Sequence, residues 1–185
     1  KRIVGPYQDS YSPNGIIGEK DACGVGFIAN VEGIESNWIL KQSLKGLNCM
    51  EHRGGCGGDS DSGDGAGILC SIPWGYLEEK INLKNTQEFN RGLGMVFMPN
   101  KKEKIEICKS ICDEEAEKLK VNKTSWRTVP VNNEILGPLA KANAPFICQW
   151  ILYIDKKDHK DVERLLFQLR KRIEKKIRET FKNDV

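Results

Sequence analysis

Residues 21–33 read Asp21-Ala22-Cys23-Gly24-Val25-Gly26-Phe27-Ile28-Ala29-Asn30-Val31-Glu32-Gly33. From Val25 the apolar residues fall on every second position, through Phe27 and Ala29 to Val31, which is the period of a strand with one buried face. The alternation predicts a strand with Cys23 at its head, where a side chain can reach a cleft. Gly24-x-Gly26-x-x-Ala29 formally satisfies a dinucleotide-binding fingerprint. No strand precedes it, however, and Asn30 to Gly33 ends in a turn instead of opening a helix, so that site is rejected.

Downstream of this stretch the pattern alternates between helix and strand. Ser36 reads as an N-cap, and Leu40, Leu44 and Leu47 follow at helical spacing, predicting a helix over 37–50. A loop over 52–66, nearly half glycine, leads to an expected strand at 67–72, and Pro73 opens a short helix at 74–81. Further strands are expected at 93–98, 126–131 and 146–154. An amphipathic helix is expected at 101–120 on Ile105, Ile107, Ile111 and Leu119. A last helix places Val162, Leu165, Leu166, Leu169, Ile173 and Ile177 on one face. Mixed elements without regular βαβ alternation predict an α+β fold. Residues 1–22 differ in kind: Gly5-Pro6, Ser12-Pro13-Asn14-Gly15 and Gly18 punctuate them with turns.

Composition narrows the function classes. A chain of 185 residues, 39% apolar and 30% charged, can bury one core, and no apolar run reaches the length of a membrane span. The net charge of +3 gives no nucleic-acid footprint. Seven cysteines, an odd number without a secretion signal, point to reduced thiols and a reducing compartment. Lysine exceeds arginine, and Asn and Ile are abundant. This is the A/T-rich coding bias of plastid genomes, which bacteria and some protists share.

Beyond Cys23 lie Met50-Glu51-His52-Arg53-Gly54-Gly55, Ser62-Gly63-Asp64-Gly65-Ala66-Gly67-Ile68, Leu93-Gly94-Met95-Val96-Phe97-Met98-Pro99 and Trp126-Arg127-Thr128-Val129-Pro130-Val131. With the Cys23 stretch, this ordered set resembles the amino-terminal glutaminase domain of the glutamate synthase family, a class II glutamine amidotransferase. The resemblance covers most of residues 19–180. It implies a four-layer α/β/β/α N-terminal-nucleophile hydrolase sandwich, only partly present here, with residues 1–22 as a propeptide and 23–185 as the domain. It implies L-glutamine as substrate, with 2-oxoglutarate and ferredoxin engaged through domains absent from this segment. FMN and a 3Fe-4S cluster, with FAD a further possibility, would also belong to those domains, and no cofactor is assigned within these residues. Coding bias favours the plastid (chloroplast) stroma, with bacterial cytoplasm the alternative. NADPH as donor, another class II amidotransferase, and a non-catalytic module of the same fold stay open as rivals.

The chemistry required of Cys23 can be stated from the residues. A neutral amide is a poor electrophile, and a thiol of pKa about 8.5 is only a few per cent ionised near neutrality, so it needs a base. A chain-terminal α-amine, with pKa about 7.7–8.0, is partly neutral and can take the proton. In this sequence the amine of Cys23 is bound to Ala22, so the nucleophilic role requires cleavage of that bond. By the resemblance Arg53 braces the wall of the glutamine site without taking part in bond breaking; His52 reads as structural, because the α-amine already supplies the base. Family members aim an Asn-Gly pair at the oxyanion. The single Asn-Gly step here is Asn14-Gly15, in the leader, so the pair is expected beyond Val185 and the segment alone is expected to be silent.

Other clusters read as structure. Asp59, Asp61 and Asp64 suggest calcium, but an EF-hand begun at Asp59 would need glycine at 64 and glutamate at 70, where the chain has Asp64 and Cys70. Cys108 and Cys112 share a helical face with no second ligand pair, which favours packing over zinc. Basic residues from Arg164 to Arg178, interspersed with Glu163, Glu174 and Glu179, read as a solvated face. Trp38, Trp126 and Trp150 are expected to anchor the core or an interface.

Overall fold

The computed structural model describes residues 24–51, 54, 59, 61–63, 65–81, 89–155 and 158–182. They divide into two compact units, one of Lys1–Cys70 with Gly137–Leu139 and one of Ser71–Leu136 with Ala140–Val185.

In the second unit, strands β1 (Phe89–Met98), β2 (Lys123–Thr128) and β3 (Phe146–Asp155) form an antiparallel sheet in the order β1-β3-β2. All ten residues of β1 pair with β3, from Phe89 opposite Asp155 to Met98 opposite Phe146. Buried on both faces, β3 is nearly continuously apolar, which explains why its Ile-Leu-Tyr-Ile run lacks alternation. On one face Cys148, Trp150, Leu152 and Ile154 pack against two helices, α3 (Lys102–Lys118) and α5 (His159–Thr180). Gly92 lets α5 approach this face. A Cβ there would lie 2.8 Å from Leu166 Cδ2.

The opposite face carries Ile151 and Tyr153, both buried. Helix α2 (Trp74–Lys80) lies over part of it and buries Leu77. Arg91 of β1 fixes this helix, with its guanidinium 4.8 Å from the Trp74 ring and 2.6 Å from Glu78 Oε1. The α+β class follows directly from these elements, which amount to one sheet with its helical layers.

Asp113 joins α3 to the sheet. Its Oδ1 accepts from Thr124 Oγ1 at 2.8 Å and from Trp150 Nε1 at 3.1 Å, and Oδ2 accepts from Trp126 Nε1 at 3.0 Å. Trp126 and Trp150 are register partners, stacked at 5.3 Å between centroids. Glu115, also on α3, is buried and receives Lys118 Nζ at 2.6 Å and Arg172 Nε of α5 at 2.7 Å. Those two cations, Lys118 first, hold its carboxyl below the usual range.

In the first unit α1 (Asn37–Cys49) begins where Ser36 accepts from the Ile39 N–H at 3.4 Å. Ahead of it, Asn30 Oδ1 accepts from the N–H groups of Glu32 and Ile34, and Gly33 closes the turn at φ +71°. Helix α4 (Pro138–Ala142) follows Gly137.

Several sequence expectations change. Residues 24–30 and 65–73 have no regular structure, and Val25, Phe27, Val31 and Leu69 are essentially fully exposed. Alternation marks which side of a segment favours burial, but hydrogen-bonded neighbours make a strand, and no described residue supplies them. On α3, Ile107 faces outward while Cys108 and Cys112 take the core positions expected of it. Trp38 is exposed and so is not part of the core, unlike Trp150, which is buried, and Trp126, which packs against it. Arg172 leaves the solvated face of α5 to meet Glu115.

Candidate active site

The first unit contains an open cleft of about 690 Å³. One wall is residues 24–28, the chain that leaves Cys23, and another is residues 67–69, where the glycine-rich loop ends. The floor comes from Ser43, Gly46, Leu47 and Met50, whose spacing of three and four puts them on one face of α1 and its C-cap. Much of the wall is glycine. A Cβ at Gly26, Gly46 or Gly67 would meet nothing within 4 Å, so packing does not demand glycine there, and its absence of side chain leaves backbone amides within reach of a ligand. Phe27, Ile28, Leu47, Met50, Ile68 and Leu69 supply apolar lining.

Cys23 and Arg53, the two site residues expected from the sequence, lie outside the described residues, as does His52. What the structure does place is the residue bonded to Cys23, since Gly24 lines the cleft. Among the described lining residues Ser43 carries a hydroxyl, and its Oγ donates to the Ile39 carbonyl of its own helix at 2.9 Å.

Asp59 was weighed above only as a calcium ligand, and its observed partners are donors. Oδ1 accepts from the N–H groups of Asp61 at 3.0 Å and Ser62 at 2.6 Å. Oδ2 accepts from Ser62 Oγ and from the Leu139 N–H, each at 2.9 Å. The Leu139 amide, above all, holds this carboxyl below its ordinary range; burial opposes it, and the Ser62 hydroxyl and the loop amides add to the lowering. Leu139 is in the first turn of α4, whose amides have no partner within the helix, so Asp59 caps that turn from a distant part of the chain. One signal of this is local, an Asp three residues before a Ser in a turn-rich stretch. Nothing local announced Leu139.

No group of three or more His, Cys, Asp or Glu among the described residues could hold a metal ion. Cys108, Cys112 and Cys148 are core side chains. Burial, then the neighbouring Asp113 and Cys108, push the Cys112 thiol up to about 12. Burial also raises Cys108, against Lys104. No helix among the described residues is long and apolar enough to cross a membrane.

Comparison with known proteins agrees with this geometry. The family profile of the class II glutamine amidotransferases matches residues 23–185. Similar proteins include ferredoxin-dependent glutamate synthase 1, chloroplastic/mitochondrial, of Arabidopsis thaliana, 41% identical over 166 residues, covering 88% of this chain and 10% of the relative. Ferredoxin-dependent glutamate synthase 2 of Synechocystis is 41% identical over 170 residues, covering 90% and 11%. The ferredoxin-dependent glutamate synthase of Pyropia yezoensis is 38% identical over 180 residues, covering 96% and 12%. The chain thus spans about a tenth of the length of the curated relatives it matches. With the α+β sheet, the glycine-lined cleft beside residue 24 and a match over nearly nine-tenths of its residues, the chain belongs to the class II glutamine amidotransferases.

Proposed function

We propose that this segment carries the glutaminase half-reaction of a ferredoxin-dependent glutamate synthase, with Cys23 as nucleophile. The observation that carries the reading is the cleft. Its wall begins at Gly24, one bond from Cys23, and the family match begins at residue 23 itself. Removal of residues 1–22 as a propeptide frees the α-amine. The amine takes the thiol proton, and the Cys23 sulfur adds to the side-chain carbonyl carbon of L-glutamine. The tetrahedral adduct collapses as the C–N bond breaks, the protonated amine gives its proton to the leaving amide nitrogen of glutamine, and ammonia departs. A water, deprotonated by the same amine, adds to the thioester carbonyl. The C–S bond then breaks, the thiolate recovers its proton, and glutamate leaves. Arg53 braces the site wall.

Ammonia passes to a synthase domain of the longer polypeptide, which aminates 2-oxoglutarate with electrons from ferredoxin. The names of the relatives favour ferredoxin over NADPH as donor. FMN and the 3Fe-4S cluster belong to that domain. Chloroplastic and cyanobacterial relatives favour a plastid stroma, or the cytoplasm of a bacterium.

The test is Cys23→Ser in the full-length enzyme. A serine hydroxyl is far less ionised than a thiol, so glutamine-dependent synthesis is lost while synthesis from added ammonia continues. Loss of both activities in a folded protein refutes the assignment.

A further inference from the structure

We propose that Asp59 is a positioning residue for the glutamine cleft, a latch that fastens the glycine-rich loop to residues 137–139 and so fixes the wall at Gly67–Leu69. The inference rests on the glutaminase reading of the cleft and adds to it a residue outside the cleft lining.

Three features converge. The first is the density of bonding on one carboxylate. Four donors meet it, two of them loop amides, one the Ser62 hydroxyl and one the Leu139 amide 80 residues away. Ser62 is itself buried, a rare position for a loop serine. The second is the absence of room at the other side of the joint. A Cβ on Gly137 would lie 2.6 Å from the Asp61 carbonyl carbon and from Ser62 Oγ, and 2.7 Å from Asp59 Oδ1. Gly137 therefore lies directly against the Asp61 backbone and against the bonded Asp59 and Ser62 side chains, with no room for a side chain of its own. The third is continuity with the cleft. From Ser62 the chain passes Gly65, at φ +90°, and reaches Gly67, Ile68 and Leu69 on the cleft wall.

Residues 65–73 have no regular structure, so no ladder of hydrogen bonds holds that wall in place. The latch ties its upstream end to residues far along the chain. A loop rich in glycine has many accessible conformers, and a fixed attachment is how such a loop keeps a site in one geometry. Asp59 touches no reacting atom in this account. It acts through the wall, so its loss weakens glutamine capture more than the bond-making steps.

The experiment compares Asp59→Asn, Asp59→Glu, Gly137→Ala and Cys23→Ser in the full-length enzyme, measuring kcat and KM with glutamine and separately with ammonia. Asp59→Asn keeps the size but loses one acceptor oxygen, and is expected to raise KM for glutamine roughly tenfold, since small misplacements in a site have effects of this order or larger. Its kcat with glutamine changes less, and turnover with ammonia stays at the parent level. Gly137→Ala reproduces the KM effect from the other side of the joint, and Asp59→Glu, which retains both oxygens, recovers part of it. An Asp59→Asn enzyme with unchanged KM for glutamine overturns the proposal, as does equal loss of the glutamine and ammonia activities. Cys23→Ser decides the underlying reading separately: if that variant still uses glutamine, the assignment of Cys23 fails, while the KM of Asp59→Asn still decides the latch.

Discussion

Replacing Asp113 with alanine removes the acceptor shared by Thr124, Trp126 and Trp150, and the cost can be worked from its geometry. Trp150 is only 4% exposed, so its Nε1–H, now 3.1 Å from Oδ1, has no water to turn to. Leaving a buried donor unpaired costs about 1–3 kcal/mol. Trp126 and Thr124 are partly exposed, so water replaces much of what they lose, and together they add about 1 kcal/mol. Alanine is the better helix former by roughly 0.5 kcal/mol, which offsets a little. The net expectation is a loss of about 1.5–3.5 kcal/mol, or roughly 3–14 °C in Tm for a chain of this size. Thermal and urea unfolding followed by tryptophan fluorescence measures it, with Trp126 and Trp150 as internal reporters. Asp113→Asn keeps one acceptor oxygen but places an amide toward one indole, so it should fall between parent and alanine. An alanine variant within about 0.5 kcal/mol of the parent would refute the view that this carboxylate ties α3 to the sheet.

Other outcomes follow from the same packing. Arg172→Met leaves the buried Glu115 carboxylate with Lys118 alone, and urea unfolding should show a loss of about 1–2 kcal/mol, reduced from the fully buried case because Arg172 is half exposed. Glu115 and Asp59 both have carboxyls held below their ordinary range. Their stabilisation is therefore complete above the unfolded carboxylate range and lost as pH falls through their lowered folded values. Unfolding midpoints measured downward from pH 6 should fall, and the fall should be shallower in a Glu115→Gln, Asp59→Asn double variant. Among the described cysteines, iodoacetamide at mildly alkaline pH should modify the exposed Cys49 and Cys70 in the native chain, and Cys108, Cys112 and Cys148 only after unfolding. Peptide mass spectrometry reads the order, and native modification of Cys112 at the rate of Cys70 would contradict the structure.

The parts legible in the sequence were those whose signal is local. Ser36 and the leucines behind it define α1, and the apolar face of α5 emerges as read, with Val162, Leu165 and Leu169 buried. The sheet strands appeared near their expected places because Phe89–Met98 and Phe146–Asp155 each find a partner in the same unit. Residues 24–30 carry an equally clear alternation and form no strand, since pairing depends on residues far along the chain. Apolarity scales also favoured Ile107 over Cys108 and Cys112, although a thiol behaves as a small hydrophobe and packs readily in a core.

The site divides along the same line. The motif around Cys23 points to the wall at residues 24–28, whereas the loop glycines, which equally serve a chain reversal, do not by themselves specify the wall at residues 67–69. Asp59 with Leu139, and Asp113 with two indoles, are contacts across many residues. Tryptophan N–H groups signal that an acceptor is needed, and a turn aspartate signals local bonding. Neither names a partner 80 or 37 residues away.

The most direct test of the account is the amino terminus of the active enzyme. Purified full-length protein that makes glutamate from glutamine should be digested, and its first peptide identified by mass spectrometry. The account predicts a peptide that begins at Cys23 with a free α-amine and carries none of residues 1–22. A fully active enzyme whose Ala22–Cys23 bond is intact would contradict the claim that Cys23 supplies both nucleophile and base.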